Sequence, residues 1–370
     1  ARVRPREVGI GIGTGDGVAA LDDEGLTLVV AFVGSLTALI TLICKYRPQP
    51  NAIQVQRIWE GDYCAFTSLV KYNDKYYCAF REAPQHHVTE DGKGGIARII
   101  VSGDGKQWES LAAFEMDGVD LRDPKLSQMP DGRLMILMDG SVYDNRKLVN
   151  MYPQVSFSED GITFSDLQPA ILDSAICHDY EWIWRVTWHE GVGYGVIYGS
   201  QYTLVKTTDG IHYQLVTALN IDNNPGETTL RFLSDGTMLL MARCEGQNKH
   251  GVWGKSLPPY TDWEYTEMNI PLGGPDFLVV DDSLTILGTR SLYASEKTMM
   301  LKGTLDGNFE EICILPSGGD DNSYPGMLIE GNELWVTYYS RHELDKAAIY
   351  LAKLPLSDFL SPRTNTYFFK

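Results

Sequence analysis

The sequence predicts an all-β protein, a six-bladed β-propeller preceded by an N-terminal hydrophobic helix, and three observations carry the propeller. One phrase recurs: Ser102-Gly103-Asp104-Gly105 ending on Trp108, Ser158-Glu159-Asp160-Gly161 ending on Phe164, and Thr207-Thr208-Asp209-Gly210 ending on Tyr213. Weaker echoes end on Trp263 and Phe309, so the closing aromatics fall 56, 49, 50 and 46 residues apart, and a period near fifty in a strand-rich chain implies radial repetition. Second, hairpin turns run in phase with these phrases, at Asn73-Asp74, Asp131-Gly132, Glu190-Gly191, Asp235-Gly236, Asp281-Asp282 and Glu330-Gly331. Third, six hairpins against five aromatic-closed turns leave the last blade one strand short. Ile53 to Trp59 supplies that strand by pairing with Ala347 to Leu354, which closes the ring and removes its edges.

The elements follow in order. Residues 1–25 read as a flexible leader, because the Gly-rich run Gly9 to Gly17 follows no strand and so lacks the context of a phosphate loop. Leu26 to Cys44 is uncharged between Asp22, Asp23 and Glu24 on one side and Lys45 and Arg47 on the other. As a helix its length of about 28 Å matches the roughly 30 Å of a bilayer core, and it exceeds the usual apolar core of a cleaved signal. Residues 26–44 are therefore expected to be a transmembrane signal anchor, with a cleaved signal peptide as the alternative. The propeller of residues 45–370 is then membrane-anchored or secreted, and extracytoplasmic. Within each blade the Asp-Gly pair makes a tight turn, the hydroxyl and carboxylate bond local backbone, and the aromatic plugs the core.

Charge and composition exclude some functions. A formal net charge of −18 makes nucleic acid and anionic membrane surfaces poor partners, so an acidic ligand binds only where arginines gather, and any membrane contact runs through the N-terminal helix only. The six cysteines show neither a CxxC pair nor zinc spacing, and His86 and His87 have no companions at metal spacing, so no metal and no cofactor is expected. Folding about Asn73-Asp74 places Cys64 opposite Ala83, so Cys64 and Cys78 are not a disulfide pair.

Propellers bind ligands where the innermost strands converge. Arg81, Arg122, Arg185, Arg243 and Arg290 all fall near such places, at what read as corresponding blade positions. Glu227 begins one strand and Arg243 ends the next, 16 residues on across the Asp235-Gly236 hairpin, so both reach one mouth of the ring. In Glu181-Trp182-Ile183-Trp184-Arg185, alternation sends Arg185 toward the axis and the tryptophans into the blade core. Asp276, in Gly273-Gly274-Pro275-Asp276, opens the fifth blade either as a site carboxylate or as part of a turn.

With Thr289-Arg290-Ser291 and Asn322-Ser323-Tyr324-Pro325-Gly326 downstream, the second half of the chain resembles the sialidases, the Asp-box propeller exo-glycosidases. That resemblance implies that Tyr324 is the nucleophile and Glu227 its general base, and that Arg243 and Arg290 are two of three arginines clamping a substrate carboxylate. A phenol attacking an anomeric carbon that bears a carboxylate avoids the repulsion an acidic nucleophile would meet, and arginine's planar fork pairs bidentately with the carboxylate. The first half departs from the family. Where sialidases carry Arg-Ile-Pro, this chain reads Phe66-Thr67-Ser68, so Arg81 or Arg122 is the available replacement. The family's acid/base Asp lies in the loop that here contains His87 and Asp91; Asp123 is a third candidate.

The expectation is a retaining exo-glycoside hydrolase acting on a terminal acidic sugar, sialic or uronic, of a glycan or polysaccharide. A lyase outcome on such a sugar is also open. A non-catalytic carbohydrate-binding propeller is the competing class, and a membrane-tethered scaffold is a third.

Overall fold

The computed structural model describes residues 53–176, 180–292, 296–319 and 321–360, together with two short strands, Val8–Gly9 and Ala20–Leu21, that pair antiparallel. The expected membrane segment 26–44 and most of the Gly-rich run lie outside the described residues. Among the described residues no helix is long and apolar enough to cross a membrane.

Six sheets follow one another from residue 53, antiparallel apart from a short parallel strand, Ile171–Leu172, beside His212–Ala218 in the third. Their innermost strands are Tyr63–Tyr72, Val119–Gln128, Trp182–His189, Pro225–Phe232, Gly273–Asp281 and Ser323–Glu330, numbered here as blades I to VI. Gln54–Trp59 completes blade VI against Ala348–Pro355, with Trp59 opposite Ile349 and Gln54 opposite Lys353, as the strand count predicts. The hairpins form where turn residues demand them: Asn73 and Asp74 take φ of 46° and 58°, as a two-residue primed turn requires. Two hairpins sit one residue later than expected. Asp281 pairs with Leu284 and its carboxylate caps the Ser283 and Leu284 amides at 2.8 and 3.0 Å, so the loop is Asp282-Ser283. In blade VI, Glu330 pairs with Glu333.

The repeated phrase folds identically in blades I, II and III. Ser102, Ser158 and Thr207 accept from the amides of Gly105, Gly161 and Gly210, each at 2.9 Å. Asp104, Asp160 and Asp209 each accept two further amides at 2.7–2.9 Å. The turn also seats one blade on its neighbour. Tyr77 of blade I donates to Gly161 O at 3.0 Å, and a Cβ at Gly105 would stand 2.1 Å from the Trp335 ring of blade VI. With φ at 66° as well, position 105 admits no side chain.

One feature of the hub repeats six times. Every inner strand carries a two-residue bulge opposite a single residue of its partner: Phe66-Thr67, Asp123-Pro124, Trp184-Arg185, Gly226-Glu227, Gly274-Pro275 and Tyr324-Pro325. Phe66, Asp123, Gly274 and Tyr324 adopt positive φ there (65°, 48°, 59° and 48°). A bulge interrupts alternation and re-aims side chains, so these residues turn toward the axis at one mouth of the ring. In blade I it also shifts the register: Cys64 stands opposite Glu82 and not Ala83, while Cys64, Cys78, Cys244 and Cys313 are free thiols.

Candidate active site at the hub mouth

Tyr324, Glu227 and Arg243 meet at this mouth. The Tyr324 hydroxyl donates to Glu227 Oε1 at 2.6 Å, and Arg243 Nη1 donates to Glu227 Oε2 at 2.8 Å and to the Tyr324 oxygen at 2.7 Å. Glu227 leaves its strand at the blade IV bulge. Arg243 is the residue facing that bulge, and Tyr324 begins the bulge of blade VI. A second acid, Glu245, pairs with Arg243 from outside. Burial pushes the Tyr324 phenol well above its ordinary value, and the charge of Glu227 adds to it while Arg243 opposes. The phenol is therefore protonated at rest, hydrogen-bonded to the group able to take its proton.

The Tyr324 ring is held by aromatics. Phe66 meets it edge-on at 4.9 Å between centroids, Trp184 at 5.9 Å and Tyr339 at 6.0 Å. Its remaining face lies on Gly274, where a Cβ would stand 2.3 Å from the ring, at a φ of 59°. Gly274→Ala is therefore expected to displace Tyr324 and to lower turnover of any glycoside the protein hydrolyses by about tenfold or more, since ångström-scale misplacement carries such costs. Steady-state kinetics beside a melting curve checks this.

The other candidates divide. Asp123, at the blade II bulge, is buried beside this group, with Oδ1 unpartnered among the described residues. Its carboxyl is raised by burial, and further by Glu227, against Lys125 and Arg122. Arg290 faces Asp321 at 3.6 Å. Asp321 also accepts from Tyr63 and Tyr339 and bonds His86 Nδ1 at 2.7 Å; although burial opposes its charge, these hydrogen bonds bring it down to about 2. Arg122 packs 5.4 Å over the Phe66 ring, with Nη1 donating to Asp120 and to His86 O at 3.2 Å each.

Five candidates are not brought to the phenol. Arg81 is 0% exposed, with Nε and Nη2 on Asp120 at 2.8 and 3.0 Å and Nη1 on Gln85 O, so nothing of its fork faces outward. Asp91 is exposed and bonded to Thr89, and it lines a separate cavity of about 600 Å³ among Asp62, Glu82 and Glu115. Arg185 and Asp276 pair with each other at 2.6 Å deeper in the hub. Correspondence among the arginines fails as well: Arg81 and Arg290 face the residue before a bulge, Arg243 faces a bulge, Arg122 precedes one, and Arg185 lies within one. His87 is exposed on the loop and meets His86 edge-on, at 4.5 Å between rings. Partial burial, then His86 and Arg122, lower its pKa, which favours the neutral imidazole, the wrong state for an acid.

Trp184 corrects the alternation argument. The bulge sends Trp184 and Arg185 together to the hub, while Ile183 and Val186 both enter the core shared with blade II. Trp184 and Tyr339 are thus residues near the phenol that a strand-alternation reading misses, and Asp321, in a loop, was not singled out. For three of the six bulges the legible signal was an X-Pro pair, in Asp123-Pro124, Gly274-Pro275 and Tyr324-Pro325.

Beside Arg122, Asp139 is buried, and burial pushes its carboxyl up to about 8, with Ser141 donating to it at 2.8 Å. The folded state thus holds this proton longer than the unfolded chain does, so the stability it carries is lost as pH rises from about 4 through about 8. Asp139→Asn is expected to melt progressively higher than wild type across that window and to match it near pH 4; thermal melts at several pH values decide.

A hub-mouth constellation on a closed six-bladed ring places the chain among sialidase-like propellers in fold. It aligns with the NanB sialidase of Streptococcus pneumoniae at a TM-score of 0.65 and 12% identity, over 84% of this chain and 72% of that one. The Trypanosoma rangeli sialidase gives 0.62 and 8%, over 84% and 61%, and a Dyadobacter fermentans protein of unknown function gives 0.73 and 16%, over 83% and 99%. No protein-family model matches the sequence, and no curated protein matches it.

Proposed function

We propose that this protein is a sialidase-like exo-glycoside hydrolase that releases a terminal acidic sugar, sialic or uronic, from a glycan with retention of configuration. The Tyr324–Glu227–Arg243 triangle is the observation that carries the reading. The Tyr324 oxygen attacks the anomeric carbon while its proton passes to Glu227. The glycosidic oxygen leaves with a proton from Asp123, whose raised pKa suits an acid. A glycosyl-tyrosine results; water then attacks it, Asp123 takes the water proton, and Glu227 returns its proton to the phenolate. Arg243 and Arg290 bind the sugar carboxylate, and by the resemblance the chain carries Phe66 where sialidases have a third arginine. A Trypanosoma rangeli sialidase complex with 2,3-difluorosialic acid, described as a covalent intermediate, supports the class of chemistry by analogy of fold.

A second reading, carbohydrate binding without turnover, draws on a specific observation. Each mouth arginine already has a carboxylate: Arg243 with Glu227 and Glu245, Arg290 with Asp321, and Arg122 with Asp120. A screen of fluorogenic sialosides and uronides decides between them. Turnover of at least one supports the hydrolase; saturable glycan binding with no turnover of any supports the binding module. Extracytoplasmic placement belongs to the same proposal and rests on the segment 26–44.

A further inference from the structure

Beyond the bulges, toward the hairpin end, the hub continues as a channel of about 290 Å³ that inner strands of all six blades reach. Its charged lining consists of Lys125, Arg185, Arg231 and Asp276. Asp276 is saturated: Arg185 Nη1 reaches Oδ2 at 2.6 Å, while Arg231 Nη2 and the Phe277 amide reach Oδ1 at 2.9 and 2.8 Å. Lys125 is left over. The residue is 4% exposed, its Nζ has no hydrogen-bond partner among the described residues, and it sits 4.5 Å from the centre of the Trp184 ring. Arg185 Nε is unpartnered in the same way.

The other acids that act on Lys125 are Asp123, whose carboxyl burial pushes up, and Glu227, already held by Arg243 and Tyr324. Three cations thus share one committed carboxylate inside a protein of net charge −18. An ammonium withdrawn from water with no hydrogen-bonded counter-charge is costly. Burial accordingly drives Lys125 down to about 8. A small anion answers the imbalance: Arg231 is held through Nη1 on Leu230 O at 2.8 Å and Nη2 on Asp276, but Lys125 Nζ and Arg185 Nε line the same space without a partner among the described residues. With the Arg231 charge beside them they suit an oxyanion, whose oxygens accept several charge-assisted bonds at once.

We propose that the hub channel binds one inorganic oxyanion, phosphate or sulfate, between Lys125, Arg185 and Arg231. The site is separate from the phenol at the mouth and independent of the glycosidase reading. It joins blades II, III and IV through one ligand, so occupancy stabilises the closed ring by mass action.

Calorimetric titration of the intact protein with sodium phosphate, and separately with sodium sulfate, at ionic strength held constant with sodium chloride tests this. One saturable site is expected, with affinity at least tenfold weaker in Lys125→Met and in Arg231→Met. The surface variant Lys346→Met is expected to match wild type. Since a hub variant can fail to fold, selenate soaked into wild-type crystals supplies a second readout, with an anomalous peak expected in the channel. Heats no different from the chloride blank, equal affinity in folded Lys125→Met, or selenate found only at surface lysines or beside Arg243 and Arg290 would each overturn the proposal. Glycoside turnover enters none of these outcomes.

Discussion

Tyr324→Phe is expected to lower kcat on an acidic glycoside by roughly 10³-fold or more while leaving the melting temperature nearly unchanged. A loss of that size is about 4 kcal/mol of transition-state stabilisation, and it follows if the deleted oxygen is the one that bonds the sugar in the proposed mechanism. Stability is spared because the ring contacts with Phe66, Trp184 and Gly274 remain, and because Glu227 keeps its ion pair with Arg243. The deleted hydroxyl leaves no charge stranded. Glu227→Gln is expected to act in the same direction, since the phenol, held protonated by burial, loses its proton acceptor. If Tyr324→Phe turns over the same substrate within tenfold of wild type, the phenol is not the nucleophile.

A chain begun at Glu60, lacking the strand Gln54–Trp59, is expected not to fold as a closed monomer, a loss comparable to the whole stability of a domain, roughly 5–15 kcal/mol. That strand pairs with Ala348–Pro355 along its length, so its removal exposes an unpaired edge in the last blade. It also strips cover from the core. Ile58 is buried against Tyr339, Ile349 and Phe80, and Trp59 packs on Phe80 of blade I at 6.2 Å between rings. The strand thus joins the last blade to the first, and ring closure depends on both contacts. Size-exclusion chromatography and circular dichroism of the shortened chain settle the matter: a monomer melting within a few degrees of the full chain would show that closure does not govern stability.

How far the sequence reaches is clearest in the hub. The hairpins and the Ser/Thr-x-Asp-Gly turns depend on local backbone geometry and on hydrogen bonds spanning two or three residues, so blade count, strand order and the donated closing strand are legible from spacing alone. Glu227 and Arg243 are legible as neighbours because a hairpin of known register separates them. Tyr324, 97 residues from Glu227 along the chain, came from a resemblance and not from pattern, since no local rule brings blade VI to blade IV.

What misled the alternation argument was the bulge. Strand periodicity assigns Trp184 to the blade core, and blade position treats all five arginines as equivalent, but two residues opposite one reset the phase inside every inner strand, and only Arg81 and Arg290 keep the same place beside it. Arg81 looks like a clamp residue in sequence and is a buried partner of Asp120 in the fold, a pairing that only the packing of blade I on blade II creates. Period and turn chemistry, being local, determined by themselves that this chain is a six-bladed ring. Which side chains share the mouth, and that Lys125, Arg185, Arg231 and Asp276 share a channel beneath it, was decided by closure of the ring, because residues from different blades become neighbours only when all six inner strands converge on one axis.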